Sequence, residues 1–94
     1  MDSFREILIK NIRNIGETVA ISGIIIFVDD DYFLIDDGTG QSRILSKSSL
    51  NIGGYARIFG IVVGTENLEI NPQIVQDLST IDKRLHKRLK ELLE

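Results

Sequence analysis

The chain has 94 residues, 43% hydrophobic and 27% charged, with 11 Lys and Arg against 14 Asp and Glu, one His, no Cys and no Trp. That length supports one core and therefore one domain, and the composition is that of a globular rather than a disordered or fibrous chain. Without cysteine there are no disulfides, thiolate metal sites or thiol nucleophiles, and a net charge of −3 excludes a grip on nucleic acid by bulk charge alone.

The charge is unevenly spread. Residues 78–94 hold five basic and three acidic side chains, net +2, and residues 1–77 hold six and eleven, net −5. The longest apolar run, Ile21–Val28, is broken by Ser22 and Gly23 and is far short of the roughly 20 residues of a spanning helix. Asp2 and Glu6 stand where a secretory signal would be basic, so the expected location is cytoplasmic. Isoleucine occurs 16 times, and its β-branching leans towards strands.

Ser3 and Glu6 have capping-box spacing, and Phe4, Ile7, Leu8 and Ile12 follow at helical intervals, which predicts a short helix over about residues 3–12. Gly16 ends it. The β-branched stretch Thr18–Val28 predicts a long strand, with Gly23 marking a bulge or sharp bend. Asp29–Asp31 is a polar turn, Tyr32–Ile35 a second strand, and Asp36-Asp37-Gly38-Thr39-Gly40 a tight connection to Ser42–Leu45, because Asp-Gly supplies the positive φ that hairpins need. Ser46–Asn51 reads as a loop, Tyr55–Val63 as a fourth strand, and Leu68–Ile70 as a fifth leading to Pro72.

Asn14-Ile15-Gly16 … Ile21-Ser22-Gly23-Ile24 recurs 37 residues later as Asn51-Ile52-Gly53 … Ile58-Phe59-Gly60-Ile61. Each copy reads as a turn that launches a bent strand. At the end of the chain, Ser79 and Asp82 cap a predicted helix whose later turns are basic. Leu78, Ile81, Leu85, Leu89, Leu92 and Leu93 form one apolar stripe along it. That stripe packs either on its own barrel or on a partner helix. Five short strands with flanking helices predict an all-β fold closed into a small barrel.

The order Val19–Ile25, then Tyr32-Phe33-Leu34-Ile35-Asp36-Asp37-Gly38-Thr39-Gly40, then Tyr55-Ala56-Arg57-Ile58-Phe59-Gly60-Ile61-Val62 resembles an OB-fold, and within that class the middle and small subunits of replication protein A and their archaeal relatives. The resemblance covers about residues 14–71. It implies a five-stranded OB barrel over residues 1–77 and, in residues 78–94, a helix that assembles with other OB-fold subunits as a homo- or hetero-oligomer. It also implies single-stranded DNA binding in replication or repair. Family members that bind DNA stack bases on aromatics of strand 3 and of the loop joining strands 4 and 5. The matching stretches here, Ser46-Lys47 and Thr65-Glu66-Asn67, hold none, and the first loop is the acidic Asp29–Asp31. The expectation is therefore a subunit with weak or secondary DNA contacts; the alternative is a purely structural OB subunit of telomere-capping or recombination-accessory type.

Strand alternation sorts the barrel residues. With Phe33, Ile35, Ile44, Ala56 and Ile58 inward, Tyr32, Leu34, Arg43, Leu45, Arg57 and Phe59 point outward. The candidate nucleic-acid contacts are thus Tyr32, Arg43, Lys47, Arg57 and Phe59, and the alternative is that the aromatics lie under a helix or a partner. Leu78, Ile81, Leu85, Leu89 and Leu92 form the candidate protein interface. Asp29–Asp31, Asp36 and Asp37 do not match a calcium loop, and Gly38-Thr39-Gly40 and Gly53-Gly54 lack the Gly-Lys-Ser/Thr ending of a phosphate loop. They read as turns, with Asp36 and Asp37 bonding their own backbone. His86 has no partner Cys or second His, and no nucleophile, base and orienting group can be assembled. The chain is expected to be a non-enzyme without metal, cofactor, membrane or small-molecule substrate.

Overall fold

A computed structural model describes residues 4–47 and 50–78. They form β1 (Arg5–Glu6), a 3-10 turn at Ile9–Asn11, β2 (Thr18–Val28), β3 (Phe33–Asp36), β4 (Gln41–Ile44), β5 (Tyr55–Gly64) and β6 (Glu69–Asp77). The sheet order is β1-β2-β3-β4-β6-β5, and β5 returns to pair with β2. Strands β2 to β6 therefore close into a five-stranded barrel of OB type, with β1 added beside β2.

The closing ladder is antiparallel and unbroken from Thr18↔Ile61 to Ile24↔Tyr55. It is also symmetric, because adding 37 to a β2 position gives its counterpart in β5, and Ile21 lies directly opposite its own counterpart, Ile58. The launching turns obey the same symmetry. Gly16 donates its N–H to Val62 O at 2.8 Å, and Gly53 donates to Ile25 O at 2.7 Å. Both glycines have left-handed φ, 92° and 89°, which a side chain would oppose. The internal similarity in the sequence is thus realised as two equivalent bent strands.

Gly23 and Gly60 occupy equivalent bends. A Cβ on Gly23 would collide with the Asp36 carbonyl and stand 2.7 Å from its carbon, and one on Gly60 would stand 2.5 Å from Asn71 O. In each case the obstacle is the backbone of the strand crossing the bend, so neither site can yield cheaply. The bulge itself lies elsewhere: the β2–β3 register shifts between Ile25 and Phe27.

Phe33, Ile35, Ile44, Ala56, Ile58, Val62 and Ile70 are wholly buried, and each large apolar side chain among them contributes about 1.5–3 kcal/mol relative to exposure. The inward and outward assignments drawn from alternation hold at every position named above. Two expectations do not. The N-terminal helix is replaced by an extended Arg5–Glu6, parallel to Val19–Ala20, and a single 3-10 turn. The edge of β2 left uncovered by β3 offers unpaired backbone groups, and Ile7 N–H takes Ala20 O at 3.2 Å; that tertiary pairing outweighs the weak preference of a ten-residue helix. The fifth strand does not stop at Pro72 but runs on to Asp77. Pro72 sits next to the register shift at Gly60, where a missing N–H disrupts no regular ladder. The C-terminal helix expected over residues 78–94 lies, beyond Leu78, outside the described residues.

Asp37 ties the N-terminal segment to the β3–β4 turn. Its Oδ2 accepts Ile9 N–H at 2.8 Å, and its Oδ1 accepts Thr39 N–H at 2.8 Å and Thr39 Oγ1 at 2.6 Å. Burial pushes the carboxyl pKa up, but the hydrogen bonds from Ile9, from the Thr39 hydroxyl and from the backbone of Thr39 and Gly40 outweigh it and hold the pKa below the usual carboxylate value. Asp36 Oδ1 accepts Gly38 N–H at 2.7 Å, so both carboxylates bond local backbone as the turn reading required.

Gly23→Ala and Gly60→Ala should each cost more than about 2 kcal/mol, read as a lowered urea midpoint with the slope unchanged. A depressed folded pKa means that the Asp37 contribution is fully present above the unfolded pKa of about 4 and is lost as pH falls through the folded value. Asp37→Asn should therefore lower stability at pH 7 and flatten the acid limb of the pH–stability curve, both measurable by thermal melts from pH 2 to about 7.

Candidate nucleic-acid interface

Two groups of outward side chains carry the candidate residues. The first begins at the β2–β3 connection, where Asp29 N–H donates to Tyr32 O at 2.9 Å and closes the acidic turn. Simple alternation from the buried Ile21 and Ile25 would send Phe27 inward. The bulge at Ile26 reverses it, and Phe27 is 42% exposed. Phe27 then stands opposite Leu34, Leu34 opposite Arg43, and Arg43 opposite Glu69. Directly opposed residues share a face, so these four form one row across β2, β3, β4 and β6.

Tyr32 lies beside this row. Its ring centroid is 5.9 Å from that of Phe27, with the planes tilted by 32°. The Arg43 guanidinium carbon lies over the Tyr32 ring, 4.5 Å from its centroid, and Arg43 Nη1 is 3.8 Å from Glu69 Oε2. Lys47 is exposed three residues beyond β4.

Arg57 and Phe59 belong to a different place. Arg57 stands opposite Ser22 and Gln76, and Phe59 opposite Ala20 and Ile74. The N-terminal segment crosses them: Phe4 meets the Phe59 ring edge-on at 5.4 Å, and Arg57 Nη2 donates to Glu6 Oε1. The Arg57 guanidinium also lies 5.2 Å from the Phe59 centroid, and its Nε is enclosed without a hydrogen-bond partner. Arg43 is in register with Glu69 and Arg57 with Gln76, which are about 23 Å apart along β6 at 3.3 Å per residue. The expectation of one stacking face holding Tyr32, Arg43, Arg57 and Phe59 is therefore corrected to two separate clusters. The reason is topological: alternation tells inside from outside, but not which strands the closure brings together.

Phe27 and Phe4 are the aromatic members that sequence reasoning missed. Phe27 sits in the apolar stretch Ile24–Val28, which carries no sign of the bulge, and the helical spacing of residues 3–12 places Phe4 on a helix. Of the candidate protein interface, Leu78 is half-buried and donates its N–H to Tyr55 O at 2.8 Å; Ile81, Leu85, Leu89 and Leu92 lie outside the described residues. Among the described residues, no group of three or more Asp, Glu or His side chains is placed to hold a metal ion, and no helix is long and apolar enough to cross a membrane.

Phe4→Ala should speed hydrogen exchange at the Ile7 amide while leaving the β2–β5 amides protected, because only the segment over Phe59 is released. Glu6→Gln should change global stability by less than about 1 kcal/mol, as expected of an exposed ion pair.

Neither a protein-family model nor a curated protein matches the sequence. Solved structures do. A chain of the S. pombe Stn1-ten1 complex is similar over 98% of this chain and 92% of its own, with a TM-score of 0.71 and 14% identity. The telomere capping protein Ten1 from Saccharomyces pombe is similar over 97% of both chains, with a TM-score of 0.69 and 13% identity. The hypothetical protein ygiW from E. coli is similar over 81% of this chain and 90% of its own, with a TM-score of 0.60 and 17% identity. At such identities the likeness is one of fold, and the shared fold is the small OB-type barrel.

Proposed function

We propose that the chain is an OB-fold subunit of a single-stranded DNA-binding complex, akin to replication protein A, that assembles with other OB-fold subunits and adds a secondary DNA contact of its own. The observation that carries this reading is the outward group Phe27, Tyr32, Leu34 and Arg43. Leu34 and Arg43 lie on the second and third barrel strands, Phe27 at the end of the first and Tyr32 in the loop joining the first two, the region where OB barrels take oligonucleotides. Aromatic and guanidinium groups there stack bases, at about 1–3 kcal/mol per base. The role is one of binding, without catalysis, in the cytoplasm or on the nucleoid.

Assembly is supported by the likeness to a chain crystallised within a Stn1-ten1 complex. In this reading Leu78, Ile81, Leu85, Leu89 and Leu92 form the stripe that meets a partner, and Lys83, Arg84, Lys87 and Arg88 stay in solvent. A second reading, a telomere-capping-type subunit that binds only protein, is favoured by one feature: Asp29, Asp30 and Asp31 border the candidate face and repel a passing phosphate.

Fluorescence anisotropy with a labelled oligo-dT at low salt separates the two. Saturable binding in the micromolar range is expected, and its absence would leave the protein-only reading. Light scattering of the intact chain should give a mass above that of a monomer, reduced to the monomer by Leu85→Asp with Leu89→Asp. A monomeric intact chain would remove self-assembly and direct the search to a different subunit.

A further inference from the structure

Strands β1, β2, β5 and the second half of β6 run side by side as one sheet, and its two outer edges are built differently. At one edge β1 is two residues long and both, Arg5 and Glu6, are charged, which keeps an edge strand from pairing with another chain. The other edge has no such guard. Strand β6 pairs with β4 only through Glu69 and Ile70. From Asn71 to Gln76 its only strand partner among the described residues is β5. That stretch carries no charge, and Ile74 and Val75, 49% and 39% exposed, put apolar side chains on both of its faces. The backbone of Val75 is turned to the open side as well. Leu78 N–H donates to Tyr55 O at 2.8 Å, which makes Leu78 and Tyr55 a hydrogen-bonded pair. Such pairs alternate along an antiparallel ladder, so Gln76 and Ile74 also bond β5, and the N–H and C=O of Val75 face away from it.

We propose that this edge of β6 pairs antiparallel with the same edge of a second copy, across a two-fold axis at Val75, so that two barrels share one continuous sheet. Each Val75 N–H then donates to the Val75 carbonyl of the other copy, and Ile74 stands opposite Gln76 of the other copy. Identical strands in this arrangement are self-complementary and close after two chains. Pairing β6 with β1 of another copy would be head-to-tail and would propagate, and the short, charged β1 opposes it. The rest of this chain is poorly placed to cover the edge, because Leu78 stands in line with Tyr55, the first residue of β5, and not beside the open side. A strand pair of this length falls well short of the roughly 1,200 Å² of a stable interface, so it acts together with the stripe that begins at Leu78. The inference therefore rests on the self-assembly reading above and goes beyond it by naming a second contact surface and its symmetry.

The test uses the full chain, which has no native cysteine. Val75→Cys should give a disulfide-linked dimer under mild oxidation, since hydrogen-bonded partners stand about 5.5 Å apart between Cα atoms, within disulfide reach. Val63→Cys, at a comparably exposed apolar position of β5, should not. Val75→Pro removes a donor on the open side and leaves the β5–β6 ladder its bonds. By light scattering over a dilution series it should raise the dimer dissociation constant at least about ten-fold, with far-UV circular dichroism confirming the fold. A dimer of undiminished affinity in Val75→Pro, or no cross-link through Cys at position 75, would overturn the proposal and leave assembly through the stripe intact; this is the outcome if residues 79–94 of the same chain cover the edge. Masses that climb past the dimer with concentration would overturn the two-fold in favour of head-to-tail pairing. A monomeric intact chain would remove the self-assembly reading itself, and this inference with it.

Discussion

The antiparallel ladder between β2 and β5, from Thr18↔Ile61 to Ile24↔Tyr55, is the interaction on which the other strands depend. It closes the barrel, so that Val19, Ile21, Ala56 and Ile58 all turn their side chains into one core, and closure leaves neither strand with an open long edge. The ladder is held at both ends by the same device: a left-handed glycine whose N–H reaches the far end of the opposite strand, Gly16 to Val62 and Gly53 to Ile25. Because the two devices are related by a local two-fold through Ile21 and Ile58, a register slip would break both at once. It would also turn the buried isoleucine of the slipped strand, Ile21 or Ile58, to the solvent side.

The bends follow from this closure. Each strand leaves the ladder near a glycine, Gly23 or Gly60, because another backbone passes where a Cβ would stand. Beyond Gly23, β2 pairs with β3 through the bulge at Ile26, and that single extra residue turns Phe27 to the outside. The aromatic side of the barrel is thus a consequence of how β2 is bent. The row Phe27, Leu34, Arg43 and Glu69 then needs nothing more than regular cross-strand pairing to line up.

Charge acts in the opposite direction. The barrel loops are acidic, Arg43 is shared with Glu69, and Arg57 is shared with Glu6 under the N-terminal segment. A surface of this kind offers ring faces and guanidinium planes while presenting little net positive potential. The OB barrel supplies a scaffold, and the side chains on it decide which chemistry that scaffold takes.

Much of the fold was legible in the chain. Alternation along Phe33–Ile35, Ile44 and Ala56–Ile58 determined which side chains are buried, the Asp-Gly dipeptide determined the hairpin, and the repeat of Asn-Ile-Gly announced two equivalent strands. These are local signals, each carried by a few adjacent residues and by the two-residue period of a strand. Only the tertiary structure decided the rest. Residues 5–6 became a strand because the edge of β2 needed a partner, and β6 continued through Pro72 because the register shift at Gly60 tolerates a missing donor. Tyr32 and Arg43 were parted from Arg57 and Phe59 because the order of strands around a closed barrel is set by long-range pairing. No window of sequence contains that information: the free energy that chooses it is gained only when β2 and β5 meet.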